Sequence, residues 1–295
     1  MLEHLNARPS RPGRVVVAGS AGFVGDAIAS RLERDAIAVL RLSRREVDLT
    51  GAEAHARLAA LVEPGDVFVA AAARAPCKDA DMLIENMAIA CTMVRALGAA
   101  RPAHVVNISS DAVYADSPEP LSEDSCASPA TLHGAMHLAR EVMFASGLEA
   151  PLLTVRPSLL YGAADPHNGY GPNRFRRLAE RGEDIVLFGE GEERRDHVCI
   201  DDLAELAAQS ILMRSRGVLN VATGEVHSFR AIAQRVVALA GRQIDVRGNA
   251  RSGPMPHGGY RPFDVGLCRR AFPGFRYTPL DEGLKRSQAG EARHG

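Results

Sequence analysis

Hydrophobic positions come in two alternating rhythms along most of this chain. Short runs rich in β-branched residues, RVVVAGS (14–20), IAVLRLS (37–43), DVFVAAA (66–72), AHVVNIS (103–109) and PLLTVRPS (151–158), are mostly apolar. Continuous apolarity over so few residues predicts strands buried on both faces. Between them, FVGDAIASRLERD (23–35) places Phe23, Ile28, Ala29 and Leu32 at helical spacing. GAEAHARLAALVE (51–63) and DADMLIENMAIACTMVRALGAA (79–100) repeat the helical rhythm. A further helix carries HGAMHLARE (133–141), with Ser128 and Pro129 suited to its N-cap and first position. Strands alternating with helices imply parallel βαβ units, wound right-handed into a sheet covered on both faces. The predicted class is α/β, a doubly wound parallel sheet.

Beyond residue 160 the rhythm loosens into loops such as GAADPHNGYGP (162–172) and RSGPMPHGGYRP (251–262), with helical segments at 201–214 and 228–240. This predicts a main domain over 14–160, to which residues 195–222 return, and a smaller C-terminal substrate-binding lobe mainly over 161–285. A cleft between the two is the default place for a ligand. Residues 1–13 and 286–295 read as disordered tails.

The balance of 35 basic and 36 acidic residues gives a formal net charge of -1. No global field draws the chain to nucleic acid or to an anionic membrane, and neither partner is expected. Any charged ligand must be held by local groups. Five cysteines, Cys77, Cys91, Cys126, Cys199 and Cys268, stand singly with no Cys-x-x-Cys pair. That argues against a disulfide framework or a zinc cluster and fits a reducing cytoplasm. The opening MLEHLNARPSRPGR lacks the apolar core of a signal peptide. No apolar run approaches the roughly 18 residues of a membrane span.

Between the first strand and the first helix lies GSAGFVG, with Gly19, Gly22 and Gly25 around Phe23 and Val24. Glycines there turn the chain tightly, let backbone approach a pyrophosphate, and let the helix pack close enough to aim its amides at the phosphates. In this strand–turn–helix setting the loop points to a Rossmann-like, NAD(P)-binding domain. An acid near the end of the second strand would accept the ribose hydroxyls of NAD(H). Here Ser43, Arg44 and Arg45 offer donors instead, and arginine can grip a 2′-phosphate. NADP(H) is therefore favoured, with NAD(H) as the alternative.

Taken in order, GSAGFVG, NISSDAVY (107–114), LHGAMHLARE (132–141), VRPSLLYG (155–162), RRDHVCIDDLA (194–204) and GYRPFDV (259–265) resemble the motifs of the extended short-chain dehydrogenase/reductases. These are the NAD-dependent epimerase/dehydratase group acting on nucleotide sugars. SRREVDLT (43–50) is similar to the branch that reduces 4-keto nucleotide sugars, commonly with NADPH. The resemblance implies that Asp48 and Leu49 border the adenine and that Ala70, Ala71 and Ala72 line the cofactor. It places Asn86 beneath the cofactor cleft and makes Ser110 the hydroxyl that polarises the substrate oxygen. Arg195 and Arg261, with Asn173 as a further candidate, would hold the substrate diphosphate. It also implies a homodimer, formed through a helical bundle that includes the His133 helix.

The resemblance breaks at the catalytic dyad. His133 stands where the family has its tyrosine and His137 where it has its lysine. Histidine titrates at about 6.5 in isolation, so it suits proton transfer at neutral pH without a lysine to tune it. Four-residue spacing puts both imidazoles on one helix face. His133 is the expected proton donor, Ser110 its assistant, and His137 a partner for the ribose hydroxyls. The expected activity is NADPH-dependent reduction of a keto group on a nucleotide-linked sugar, or epimerisation of such a sugar. A second reading is a dinucleotide-binding sensor or scaffold that has lost its chemistry. A metal shared by the two histidines is a third, but HGAM lacks the glutamate of an HExxH site and no third ligand is near, so no metal is expected.

Overall fold

The computed structural model describes residues 2–291. In chain order, β1 (Glu3–His4), β2 (Val15–Ala18), α1 (Phe23–Arg34), β3 (Val39–Leu42), α2 (Ala54–Leu61) and β4 (Val67–Ala70) lead to the long α3 (Ala80–Ala100). Next come β5 (His104–Ile108), α4 (Leu132–Gly147), β6 (Leu152–Pro157), β7 (Leu159–Tyr161), α5 (Pro172–Arg181), β8 (Ile185–Phe188) and β9 (Arg194–Cys199). The chain ends with α6 (Ile200–Leu212), β10 (Ser215–Val221), β11 (Val226–Ser228), α7 (Phe229–Ala240), β12 (Val246–Asn249), β13 (Tyr260–Arg261), α8 (Gly266–Ala271) and α9 (Leu280–Glu291).

Seven strands form the main sheet in the order β1-β10-β6-β5-β4-β2-β3, parallel everywhere except at β1. The fold is Rossmann-like α/β. From β2 the chain winds out to β3, then crosses back to β4 on the other flank of β2, so Val15 faces both Val39 and Val67. That reversal opens a crevice beyond the carboxyl ends of β2 and β4, where ligands bind in sheets of this kind. Alternate side chains of the strands feed two cores. Val15, Val17, Ile28, Leu32 and Leu203 pack on one face, and Val16, Phe68, Met93, Leu97 and Phe144 on the other. Each such side chain contributes about 1.5–3 kcal/mol by leaving water.

Strands β11, β9, β13 and β7 make a smaller sheet, and β8 pairs with β12. Phe175, Ile185, Leu187, Phe229, Ile232 and Val236 form a separate apolar cluster in this later part of the chain.

Four expectations need correction. The α4 helix does not start at Pro129. Thr131 is its N-cap, accepting the Gly134 N–H at 3.1 Å, while Pro129 packs against Gly134. Residues 2–13 are not a loose tail. Glu3 and His4 pair antiparallel with Arg216 and Ser215, and Asn6 Nδ2 and Ser10 N–H donate to the Leu212 carbonyl at 2.8 and 2.9 Å. The attachment uses backbone and polar side chains, so no apolar run announces it. The other expected tail, 286–295, is helical in α9 as far as Glu291, and residues 292–295 lie outside the described residues. Finally, α3 is long and apolar enough by composition to cross a membrane. Its Ile89, Ala90, Met93, Ala96 and Leu97 are instead buried in the core, with α2 and α4 packed alongside.

Candidate active site

The glycine loop is shaped by backbone packing. Gly19 has φ +87°, and a Cβ there would come within 2.6 Å of the Ala72 nitrogen. A Cβ on Gly25 would collide with the Gly19 carbonyl oxygen. Gly22 is the N-cap of α1, so no side chain caps the first-turn amides. Phe23, Val24 and Gly25 of that turn wall a cavity. An uncapped helix N-terminus behind a glycine turn fits the pyrophosphate of a dinucleotide.

Two cavities flank the loop. The first, about 250 Å³, is walled by Gly19, Leu42, Ser43, Arg44, Val47, Asp48, Leu49, Ala71 and Ala72 among others. Its apolar side chains make a slot for a flat ring. Asp48 Oδ1 accepts from Thr50 N and Oγ1 at 3.0 and 2.7 Å, which holds its carboxyl below the usual range. Arg44 is exposed and pairs with Glu85 at 3.3 Å. Arg45 is also exposed and walls neither cavity; its amide donates to Ser43 Oγ at 3.1 Å. Glu46 folds back on the same corner to accept the Ser43 N–H at 2.7 Å. Ala70 is wholly buried in β4. Asn86 is buried below, where Oδ1 accepts the Arg74 N–H at 2.8 Å and Nδ2 donates to the Arg74 and Met82 carbonyls. It fixes the loop after β4 and walls neither cavity.

The second cavity, about 430 Å³, joins Gly19, Gly22, Phe23, Val24 and Gly25 to Ser110, His133 and His137, and across the cleft to Tyr170, Asn173 and His197. Ser110 caps the single turn Asp111–Val113. Its Oγ accepts the Ala112 N–H at 3.1 Å and lies 3.4 Å from Asp111 Oδ1. The His133 and His137 rings meet edge to face, with centroids 4.7 Å apart. Between them Gly134 is obligatory, because a Cβ would strike the Ala112 carbonyl and push α4 off the Ser110 turn. His133 Nδ1 accepts the Cys77 N–H at 3.4 Å, which leaves the ring proton on Nε2. Burial pushes His133 below its ordinary value, partly offset by Asp111. Burial, then His133 and Arg140, hold His137 well below. Both rings are neutral at pH 7.

The expected diphosphate residues divide. Asn173 walls the second cavity, with Oδ1 accepting the Gly162 N–H at 3.0 Å. Arg195 and Arg261 are buried and wall neither cavity. They converge on Asp111, Arg261 Nε at 2.9 Å and Arg195 Nη2 at 3.9 Å, and Arg261 also reaches Asp116 at 3.1 Å.

The pattern of the NAD dependent epimerase/dehydratase family matches residues 15–222. The chain belongs to that family, among the extended short-chain dehydrogenase/reductases. It is 26% identical over 269 residues to the GDP-L-fucose synthase of Escherichia coli (strain K12), covering 77% of this chain and 81% of that one. A stretch of 99 residues is 31% identical to the dTDP-4-dehydro-6-deoxy-D-allose reductase of Streptomyces bikiniensis, spanning 32% of this chain and only 29% of that relative. The structure of MoeE5 in complex with UDP-glucose and NAD superposes with a TM-score of 0.81 at 23% identity, over 96% of this chain and 99% of that one. At that identity the likeness is one of fold.

Sequence motifs of the family do not point to three buried groups around the second cavity. Arg156 forks onto Glu141 at 2.9 and 2.6 Å and donates to the Tyr114 hydroxyl at 2.9 Å. Ser109 Oγ donates to Glu141, and the Tyr114 hydroxyl to Asn220 Oδ1 at 2.6 Å. This ties α4 to β6 and β10, and removing one partner of such a pair costs about 3–5 kcal/mol. His197 is the second group. Its Nδ1 bonds the Arg195 carbonyl at 3.1 Å and its Nε2 has no partner, so Nε2 presents a lone pair at the cavity wall. Burial pushes it down to about 3. The third is Arg140, fully buried on α4. Met136, Arg140 and Phe144 recur every four residues on the buried face, so helical periodicity carries the signal that motif matching lacks.

Proposed function

We propose that this protein is an NADP(H)-dependent reductase acting on the keto group of a nucleotide-linked sugar. One observation carries the reading: Ser110, His133 and His137 share a cavity with the uncapped N-terminus of α1 and with Asn173 and His197. When bound, the dinucleotide supplies the hydride. A keto oxygen between Ser110 Oγ and His133 Nε2 takes hydrogen bonds from both, which polarises it and stabilises the charge that develops there. His133 is held neutral, so it serves first as a donor to that oxygen. The proton that completes the alcohol is relayed from water along the Ser110–His133 pair. His137, one turn on, faces the ribose hydroxyls. Arg195 and Arg261 exchange part of their hold on Asp111 for the substrate diphosphate, joined by Asn173. Ser43 and Arg44 hold the 2′-phosphate, with Arg44 leaving Glu85, while Asp48 and Leu49 border the adenine. Two copies pair through α3 and α4, where Ile84 and Val142 are 67% and 56% exposed.

A non-catalytic dinucleotide sensor is the second reading, favoured by the internal pairing of both arginines with Asp111. Calorimetric titration with NADPH and NADH, followed by turnover assays on keto nucleotide sugars, separates them. The reductase reading expects NADPH binding, turnover, and a loss of about 10²–10⁴ in turnover for His133→Ala with dinucleotide affinity retained. Binding without turnover on any keto nucleotide sugar leaves the sensor. Failure to bind either dinucleotide removes both readings.

A further inference from the structure

Among the described residues, Arg140, Arg176 and Arg261 are the largest fully buried side chains. Arg261 meets Asp111 and Arg176 meets Glu180. Arg140 meets no carboxylate among the described residues. Its hydrogen bonds run to neutral oxygens, Asn107 Oδ1 at 2.7 Å, the Ala72 carbonyl at 2.6 Å and the Ala70 carbonyl at 2.5 Å. Its neighbour Glu141 is already forked by Arg156. Burial lowers the guanidinium to about 10, and no acid raises it again, so it remains a cation at pH 7. A buried charge without a counter-charge is expensive.

Its position bears on that cost. The carbonyls it holds end β4, and Ala71 between them walls both cavities. Ala72 walls the first cavity and receives the close packing of Gly19. The cation therefore lies against the strip that floors the cleft. His137, neutral, supplies no charge there.

We propose that Arg140 is the fixed counter-charge of the cleft floor, compensating the negative charge of a dinucleotide bound across Ala71 and Ala72. It favours the reduced form, which carries one negative charge more than the oxidised form. This rests on the dinucleotide reading above and adds to it a preference for redox state.

The test is the ratio of dissociation constants for NADPH and NADP⁺, measured by calorimetry at low salt on the parent, Arg140→Lys and Arg140→Gln. The parent is expected to bind NADPH more tightly. Arg140→Lys keeps that preference even where both affinities fall, and Arg140→Gln loses roughly tenfold of it. A bracket that merely holds β4 in place would weaken both forms alike in both variants and leave the ratio unmoved. An unchanged ratio in Arg140→Gln overturns the proposal, as does its loss in Arg140→Lys. Should Arg140→Gln not fold, the parent and Arg140→Lys still decide: equal affinities in the parent overturn it. Binding of both forms with no preference sinks this inference alone, whereas binding of neither sinks the dinucleotide reading as well.

Discussion

At the Gly19–Gly25 end of the cleft the polar groups on offer are peptide amides, and their placement rests on the absence of side chains. At the Ser110–His133 end they are side chains, and burial sets their charge. A Cβ at Gly19 or Gly25 has nowhere to go, so the first end tolerates no added atom. The second end brings Ser110, His133 and His137 to one cavity wall, and burial keeps both imidazoles below their ordinary value. The backbone end is thus fixed in form by sterics. The side-chain end is set by what buries and neighbours each ring, so its chemistry depends on protonation as much as on residue type.

The hardest blow to the first end is Gly25→Val, which forces a side chain into the Gly19 carbonyl. NADPH affinity should fall at least about 100-fold by calorimetry, with far-ultraviolet circular dichroism retained. His133→Ala should do the opposite, losing turnover and sparing affinity; if it weakened NADPH binding as much as Gly25→Val, the two ends would not be separable. Acid provides the next contrast. Burial pushes His197, in the cleft, down to about 3 and His104, at the amino end of β5, down to about 4. Each contributes stability above its unfolded value of about 6.5, lost as pH falls toward the folded value because only the unfolded chain takes the proton. Between about pH 7 and about pH 5 each should remove roughly 2 kcal/mol in urea unfolding. His104→Gln should flatten that slope and leave substrate affinity alone, while His197→Gln should change both. The smallest effect belongs to Arg44→Ala. Arg44 is exposed, so NADPH affinity should drop only a few-fold, about 0.5–1 kcal/mol, with NADH unaffected.

Periodicity and glycine spacing made the parallel sheet and the glycine turn before α1 legible, because both are short-range patterns. Motif order singled out Ser110, His133 and His137, and they line one cavity. Their protonation was not legible. It depends on the Cys77 amide, 56 residues before His133, and on burial by elements far along the chain. Arg195 and Arg261 were picked out as phosphate ligands, but no local pattern shows that Asp111 occupies both. The N-terminal attachment was illegible for a different reason: peptide groups and scattered polar side chains make it, and neither forms an apolar pattern.

That attachment is also a guard. Where Glu3 and His4 lie along β10, they pair with Arg216 and Ser215 at a border of the main sheet, whose peptide groups there would otherwise be open to a passing strand. Two peptide units at the start of β10 are thereby withdrawn from edge-to-edge pairing with another copy, a consequence that has nothing to do with the cleft.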